Sequence, residues 1–124
     1  MNDEQLIWEI YNNNIIEDIK NYLYTSEGYD SWKEFVDNQY NGQCQSIVSD
    51  IVRNFPMVKK VFGEIEVNDP YIDKYGDEQN LVTHHWVKIM GKYYDFSKGT
   101  LKNYISFDDI YDPSIEDAGI YHGF

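Results

Sequence analysis

The stretch THHWVKIMGKYYDFS, residues 83–97, reads as two β-strands joined by a tight turn at Met90-Gly91. The run that leads into it, LVTHHWVKI, and the run that leaves it, KYYDFS, are both short and bounded by turn residues. Upstream, CQSIVSDIVRNF (44–55) places Ile47, Val48, Ile51, Val52 and Phe55 at spacings of 1, 3, 1 and 3. That spacing makes one apolar helix face of about three turns, ended by Pro56. Between them VKKVFGEIEV (58–67) alternates through Val61, Gly63, Ile65 and Val67, as a strand does. A helix followed by an antiparallel sheet is an α+β arrangement.

The rest fits around this centre. Leu6, Ile7, Ile10, Ile15, Ile16, Ile19, Tyr22 and Leu23 recur at helical spacing, which predicts an amphipathic helix over 3–24. Asn2 or Asp3 can cap it. TSEGYDS (25–31) is a loop whose Asp30 or Ser31 can start a short helix through Phe35 and Val36. NQYNGQ (38–43) carries the Asn-Gly turn signal, and NDPYIDKYGDEQN (68–80) reads as a polar loop. From Ser106 on the chain is acidic, aromatic and irregular, with a short helix expected around Phe107–Tyr111. The 124 residues make a single domain: an N-terminal helical part (1–37), a core (about 38–105) and an acidic tail (106–124).

Composition narrows the function classes. Twenty-two acidic against 10 basic residues give a formal charge of −12, a field that repels nucleic acid and anionic membrane. No stretch approaches the ~20 apolar residues of a membrane helix. The start, MNDEQLIWEIYNNN, has no signal-peptide pattern. One cysteine cannot form an internal disulfide and suits a reducing compartment. The expected location is the cytoplasm, of a bacterium or of an infected host cell.

That cysteine, Cys44, opens a predicted helix. A helix N-terminus favours the thiolate, and its amides can stabilise the oxyanion of an acyl-transfer intermediate. Taken alone, a single cysteine is most often a small buried apolar residue. The histidines change the balance, because a thiolate nucleophile needs an imidazole in reach and the imidazole needs an orienting acceptor. A two-residue turn at Met90-Gly91 pairs Ile89 with Lys92 and Trp86 with Asp95. His84 then shares a face with Asp95 and reaches Cys44, while His85 points away with Phe96. A three-residue turn with a bulge selects His85 instead. His122, in the tail, has no nameable partner. Cys44 is expected to be partly accessible, and Gln39 or Gln43 to add an amide donor.

Gly42-Gln43-Cys44 at a helix start, His84-His85-Trp86 on a strand and Gly91-Lys92-Tyr93-Tyr94-Asp95 on the next resemble the transglutaminase-like branch of the papain-like cysteine hydrolase superfamily. Asn38-Gln39 is a further echo of the papain-like branch. The resemblance spans about 38–97, and its His-x-Trp element again selects His84. Phe96-Ser97 stands where the family usually has a proline after the aspartate. The resemblance implies a papain/transglutaminase-like core, with the nucleophile helix packed on a small antiparallel sheet. It also implies a cysteine-dependent acyl transfer on a peptide, protein or small amide: hydrolysis, deamidation or transfer to an amine. Cys44 would be nucleophile, His84 base and then acid, Asp95 the orienting acceptor and Trp86 a wall of the cleft. No metal or cofactor is needed. The competing expectation is a non-catalytic acidic interaction protein, of a kind a phage could encode, that binds a basic host surface.

Overall fold

The computed structural model describes residues 3–115 and 120–124, and all of their side chains except those of 5–13, 68 and 69. In chain order the elements are α1 (Asp3–Ser26), α2 (Trp32–Asp37), α3 (Cys44–Asn54), β1 (Val58–Ile72), β2 (Glu78–Ile89), β3 (Lys92–Tyr94), a 3-10 turn (Lys98–Leu101) and β4 (Tyr121–Gly123). The fold is α+β. Leu6, Ile7 and Ile10 of the predicted stripe lie outside the described side chains. Ile15, Ile19 and Leu23 are buried as the spacing requires. Ser31 caps α2, its hydroxyl accepting from the Glu34 amide at 3.1 Å.

The described strands form one antiparallel sheet in the order β3-β2-β1-β4. Met90 (φ 50°) and Gly91 (φ 85°) make the two-residue turn, with Ile89 opposite Lys92 and Val87 opposite Tyr94. Two left-handed residues match the twist of the flanking strands, and glycine adopts that conformation without a Cβ penalty. The ladder stops at Tyr94. The Asp95 amide donates instead to the Pro113 carbonyl at 2.7 Å, so β3 pairs with β2 no further.

Two apolar clusters lie against the sheet. Ile47, Val48 and Ile51 of α3 pack with Ile15, Ile19 and Leu23 of α1 and with Val58, Val87 and Ile89 of the strands. Burying each such side chain contributes about 1.5–3 kcal/mol. The second cluster joins Ile65 and Trp86 to Leu101 and Ile105. Alternation along β2 therefore puts His85 on the side of Val87 and α3, and His84 on the side of Trp86.

Three sequence expectations are corrected here. The stretch 68–80 is mostly strand: β1 runs to Ile72 and β2 starts at Glu78, leaving a turn at 73–77. Asp73 holds that turn by accepting from the amides of Tyr75 (2.9 Å) and Asp77 (3.0 Å). No helix forms at 107–111. The tail is not wholly irregular either, because β4 adds to β1 through Gly63↔Gly123, Glu64↔His122 and Ile65↔Tyr121. Glycine is required at 63. A Cβ there would overlap the His122 carbonyl and lie 2.7 Å from the Trp86 ring. His122, for which the sequence offers no partner, bonds Glu66 at 2.7 Å.

Candidate active site

Cys44 is the first residue of α3, and the cap residue Gln43 makes no side-chain capping bond. The thiol is only 8% exposed, so it is less accessible than expected. Its sulfur is 3.8 Å from Nδ1 of His85. His84 and Asp95 are fully buried, and His84 Nε2 is 2.9 Å from Asp95 Oδ2. The pairing that hairpin parity predicts for His84 and Asp95 is therefore present, although the strand ladder ends one residue short of Asp95.

The thiol's hydrogen-bond contact is with the His85 ring, which corrects the expectation that His84 reaches it and His85 does not. The reason is position. The Ser97 hydroxyl lies 3.5 Å from the His85 carbonyl, on the side of β2 that β3 leaves open. In an antiparallel ladder a residue's amide and carbonyl point to the same side, and the His85 amide helps stabilise the thiolate. Cys44 thus lies by both the ring and the backbone amide of His85, and α3 packs on the side of β2 that carries His85 and Val87.

Electrostatics distinguishes them. Burial pulls His84 down most strongly, but the charge and hydrogen bond of Asp95, with smaller help from Cys44, raise its pKa to about 9. Burial pushes the Cys44 thiol up, yet hydrogen bonding and charge from His84 and the His85 amide bring it below its ordinary value. Asp95 is pushed up by burial and more than compensated by His84, the Ser97 amide and the Tyr121 hydroxyl, so it stays low. His85 moves down, through burial and then the charges of His84 and Lys60. His84 is thus shifted toward its cationic form and His85 toward its neutral form. His84 Nδ1 makes no well-formed hydrogen bond in its buried position. The geometric contact of the thiol is with His85 Nδ1.

Two residues that the sequence reading missed complete the carboxylate's shell. The Ser97 amide and hydroxyl both donate to Asp95 Oδ1 at 2.9 Å, and the Tyr121 hydroxyl donates to Oδ2 at 2.8 Å. The Asp-x-Ser spacing carries an Asx-turn signal that could have indicated Ser97. Nothing local marks Tyr121, 26 residues away.

The expected substrate contacts are only partly realised. Gln39 is not an open donor: it is 2% exposed and its Nε2 donates to the Phe96 carbonyl at 3.0 Å. Gln43 accepts from the Tyr40 amide through Oε1 at 3.2 Å, which leaves its Nε2 as the group to donate. Trp86 stands behind His84, ring centroids 6.2 Å apart and nearly parallel, and is 2% exposed. It lines a cavity of about 990 Å³ shared with Tyr121 and Phe124, and neither Cys44 nor either of the paired histidines lines that cavity. Trp86 is therefore a backing for the imidazole, not a wall beside the thiol. Beside the thiol the exposed surface is aromatic: the His85 ring packs on Phe62 at 4.7 Å, and Phe62 meets Phe124 at 5.2 Å.

Among the described residues no group of three or more His, Cys, Asp or Glu could hold a metal ion, and no helix is long and apolar enough to cross a membrane. No protein-family model, curated protein or solved structure matches the chain.

Proposed function

We propose that this protein is a cysteine-dependent acyl-transfer enzyme on a papain/transglutaminase-like core, with Cys44 as nucleophile, His84 as general acid and base, and Asp95 as the acceptor that orients His84. The observation that carries this reading is the buried His84–Asp95 pair at 2.9 Å beside the only thiol of the chain, at the start of a helix. A structural cysteine needs no charged partner. A buried imidazole and carboxylate are costly to keep unless they are paired, and here the imidazole of the pair also lowers the thiol's pKa, against the opposing charge of Asp95.

The chemistry follows from the protonation states. The Cys44 thiolate attacks the carbonyl carbon of a peptide or amide, forming a C–S bond and an oxyanion. The first-turn amides of α3 and the Gln43 Nε2 are the candidate donors to that oxyanion. The His84 imidazolium gives its proton to the leaving nitrogen, and the C–N bond breaks. Water or an amine then gives a proton to His84 and attacks the thioester, and the thiolate leaves. Asp95 keeps Nε2 protonated throughout, so that Nδ1 is the nitrogen that exchanges protons. His85 helps through its backbone amide, and its neutral ring borders the approach to the thiol.

The test is alkylation of Cys44 by iodoacetamide at pH 6. The reading expects a rate far above that of a free thiol, which titrates near pH ~8.5. It also expects a trapped thioester with an activated acyl donor, absent in Cys44→Ala. An alkylation rate that follows an ordinary thiol would leave the acidic interaction protein as the better reading, since binding through a charge of −12 does not require Cys44.

A further inference from the structure

We propose that Tyr121, carried by the C-terminal strand β4, is a positioning residue of this site. Its hydroxyl fixes the Asp95 carboxylate and limits how tightly His84 holds its proton. The inference rests on the Cys44–His84–Asp95 reading and adds a fourth group to it.

Asp95 is 1% exposed, so protein donors must supply every hydrogen bond that water would otherwise give. Oδ1 takes two donors, both from Ser97. Oδ2 takes one from His84 and one from Tyr121, at 2.9 and 2.8 Å. The tyrosine thus competes with the imidazole for the same oxygen. With its hydroxyl in place the negative charge on Oδ2 is shared between two donors. Without it, the charge is directed at His84 alone, and the imidazolium becomes a weaker acid. A proton held too tightly cannot be passed to a leaving group, so the hydroxyl adjusts His84 toward a working range.

The tyrosine is delivered to this point rather than left there by chance packing. Its ring meets Trp86 edge-on at 5.1 Å, and Trp86 in turn backs His84. The strand that carries it pairs with β1 through Ile65↔Tyr121, two residues from Gly63. Gly63 is the position where any side chain would strike the His122 carbonyl and the Trp86 ring. Burial and the neighbouring carboxylate also raise the Tyr121 hydroxyl's own pKa above the ordinary tyrosine value, so it remains a donor wherever His84 titrates.

Tyr121→Phe in the full chain tests this, since phenylalanine keeps the ring packing on Trp86. Two readouts are followed between pH 5 and 10: the His84 ring resonances by NMR and the alkylation rate of Cys44. In the wild type the rate should rise in two steps, the first from thiolate formation and the second from loss of the His84 proton. The variant should raise the His84 pKa by a few tenths of a unit to about one unit, and carry the second step up by the same amount. A tyrosine that only fills space would alter melting temperature without moving either titration. Superimposable His84 titrations in folded wild type and variant would overturn the proposal while leaving the cysteine site intact. An ordinary, single-step thiol profile in the wild type would instead overturn the cysteine-site reading itself. A measurement on the wild type alone adds a check: the Tyr121 hydroxyl proton should be downfield and slow to exchange, and its absence would also overturn the proposal.

Discussion

At His84 strand β2 meets a buried carboxylate whose two oxygens receive four donors; at His85, one residue on, it meets Phe62 and solvent. Both rings belong to one strand and both influence one sulfur. On the first side burial is accompanied by a fixed anion, and the imidazole is driven to a pKa of about 9. On the second side burial acts without an acceptor and is reinforced by the positive charges of His84 and Lys60, so that ring is driven down. Desolvation alone always disfavours the charged imidazole. What separates the two imidazoles here is the carboxylate on His84 Nε2, not distance from the sulfur.

Removing the cationic side breaks this comparison most severely. His84→Ala leaves Asp95 as a buried anion without its counter-charge, a loss of about 3–5 kcal/mol. In calorimetry the melting temperature should fall accordingly. In the material that stays folded, the pH 6 alkylation of Cys44 should drop by about a hundredfold, toward a normal thiol.

The next effect is a pH dependence that appears when the thiol is removed. His84 has a raised folded pKa, so its stabilisation is complete below 6.5 and is lost as pH rises through the folded value. Cys44 has a lowered pKa, so it contributes in the opposite direction, with stability that is present above its unfolded value and lost as pH falls through the folded one. In Cys44→Ala only the His84 part remains. Chemical denaturation should then show stability declining from pH 6.5 toward 9, by at most about 3 kcal/mol. A flat profile in that variant would mean that His84 is not held as a cation. Asp95, with a lowered folded pKa, contributes stability that is present above pH 3.8 and lost on acidification.

Gly63→Ala tests whether the His84 side depends on the tail. A methyl group there must displace β4 or Trp86, at about 1–3 kcal/mol. Amide exchange should become faster at Tyr121–Gly123 and remain slow in α3.

The smallest effects are expected on the second side. His85→Ala loses the ring contact with Phe62, about 1 kcal/mol. Its backbone amide stays, so alkylation at pH 6 should change by no more than about threefold. A collapse of reactivity in His85→Ala, with His84→Ala reactive, would reverse the assignment of the two rings.

Much of this arrangement was legible in the chain. The apolar spacing of Ile47, Val48 and Ile51 locates α3 and so puts Cys44 at its start. Met90-Gly91 marks the turn, and the two-residue form, which the structure selects over the three-residue one, gives the parity that joins His84 to Asp95. Other features were not legible. The residues of 68–80 read as loop because their composition is polar, whereas Tyr71 and Ile72 pair with Gln79 and Glu78 across the turn. Gln39 looked like an available amide, and only its burial against Phe96 removes it.

By itself the sequence determined what repeats locally: the helix that carries the thiol and the hairpin that carries the imidazole and carboxylate. Those are consequences of 3.6-residue and two-residue periods, which a chain displays without knowing its neighbours. Tertiary structure alone decided that β3 ends at Tyr94, that Cys44 meets the His85 ring, and that Tyr121 returns from the tail to Asp95. These depend on contacts between residues far apart in the chain. Such contacts, together with the burial they create, set the charge of each histidine, because a pKa responds to the surroundings of a group and not to its place in the sequence.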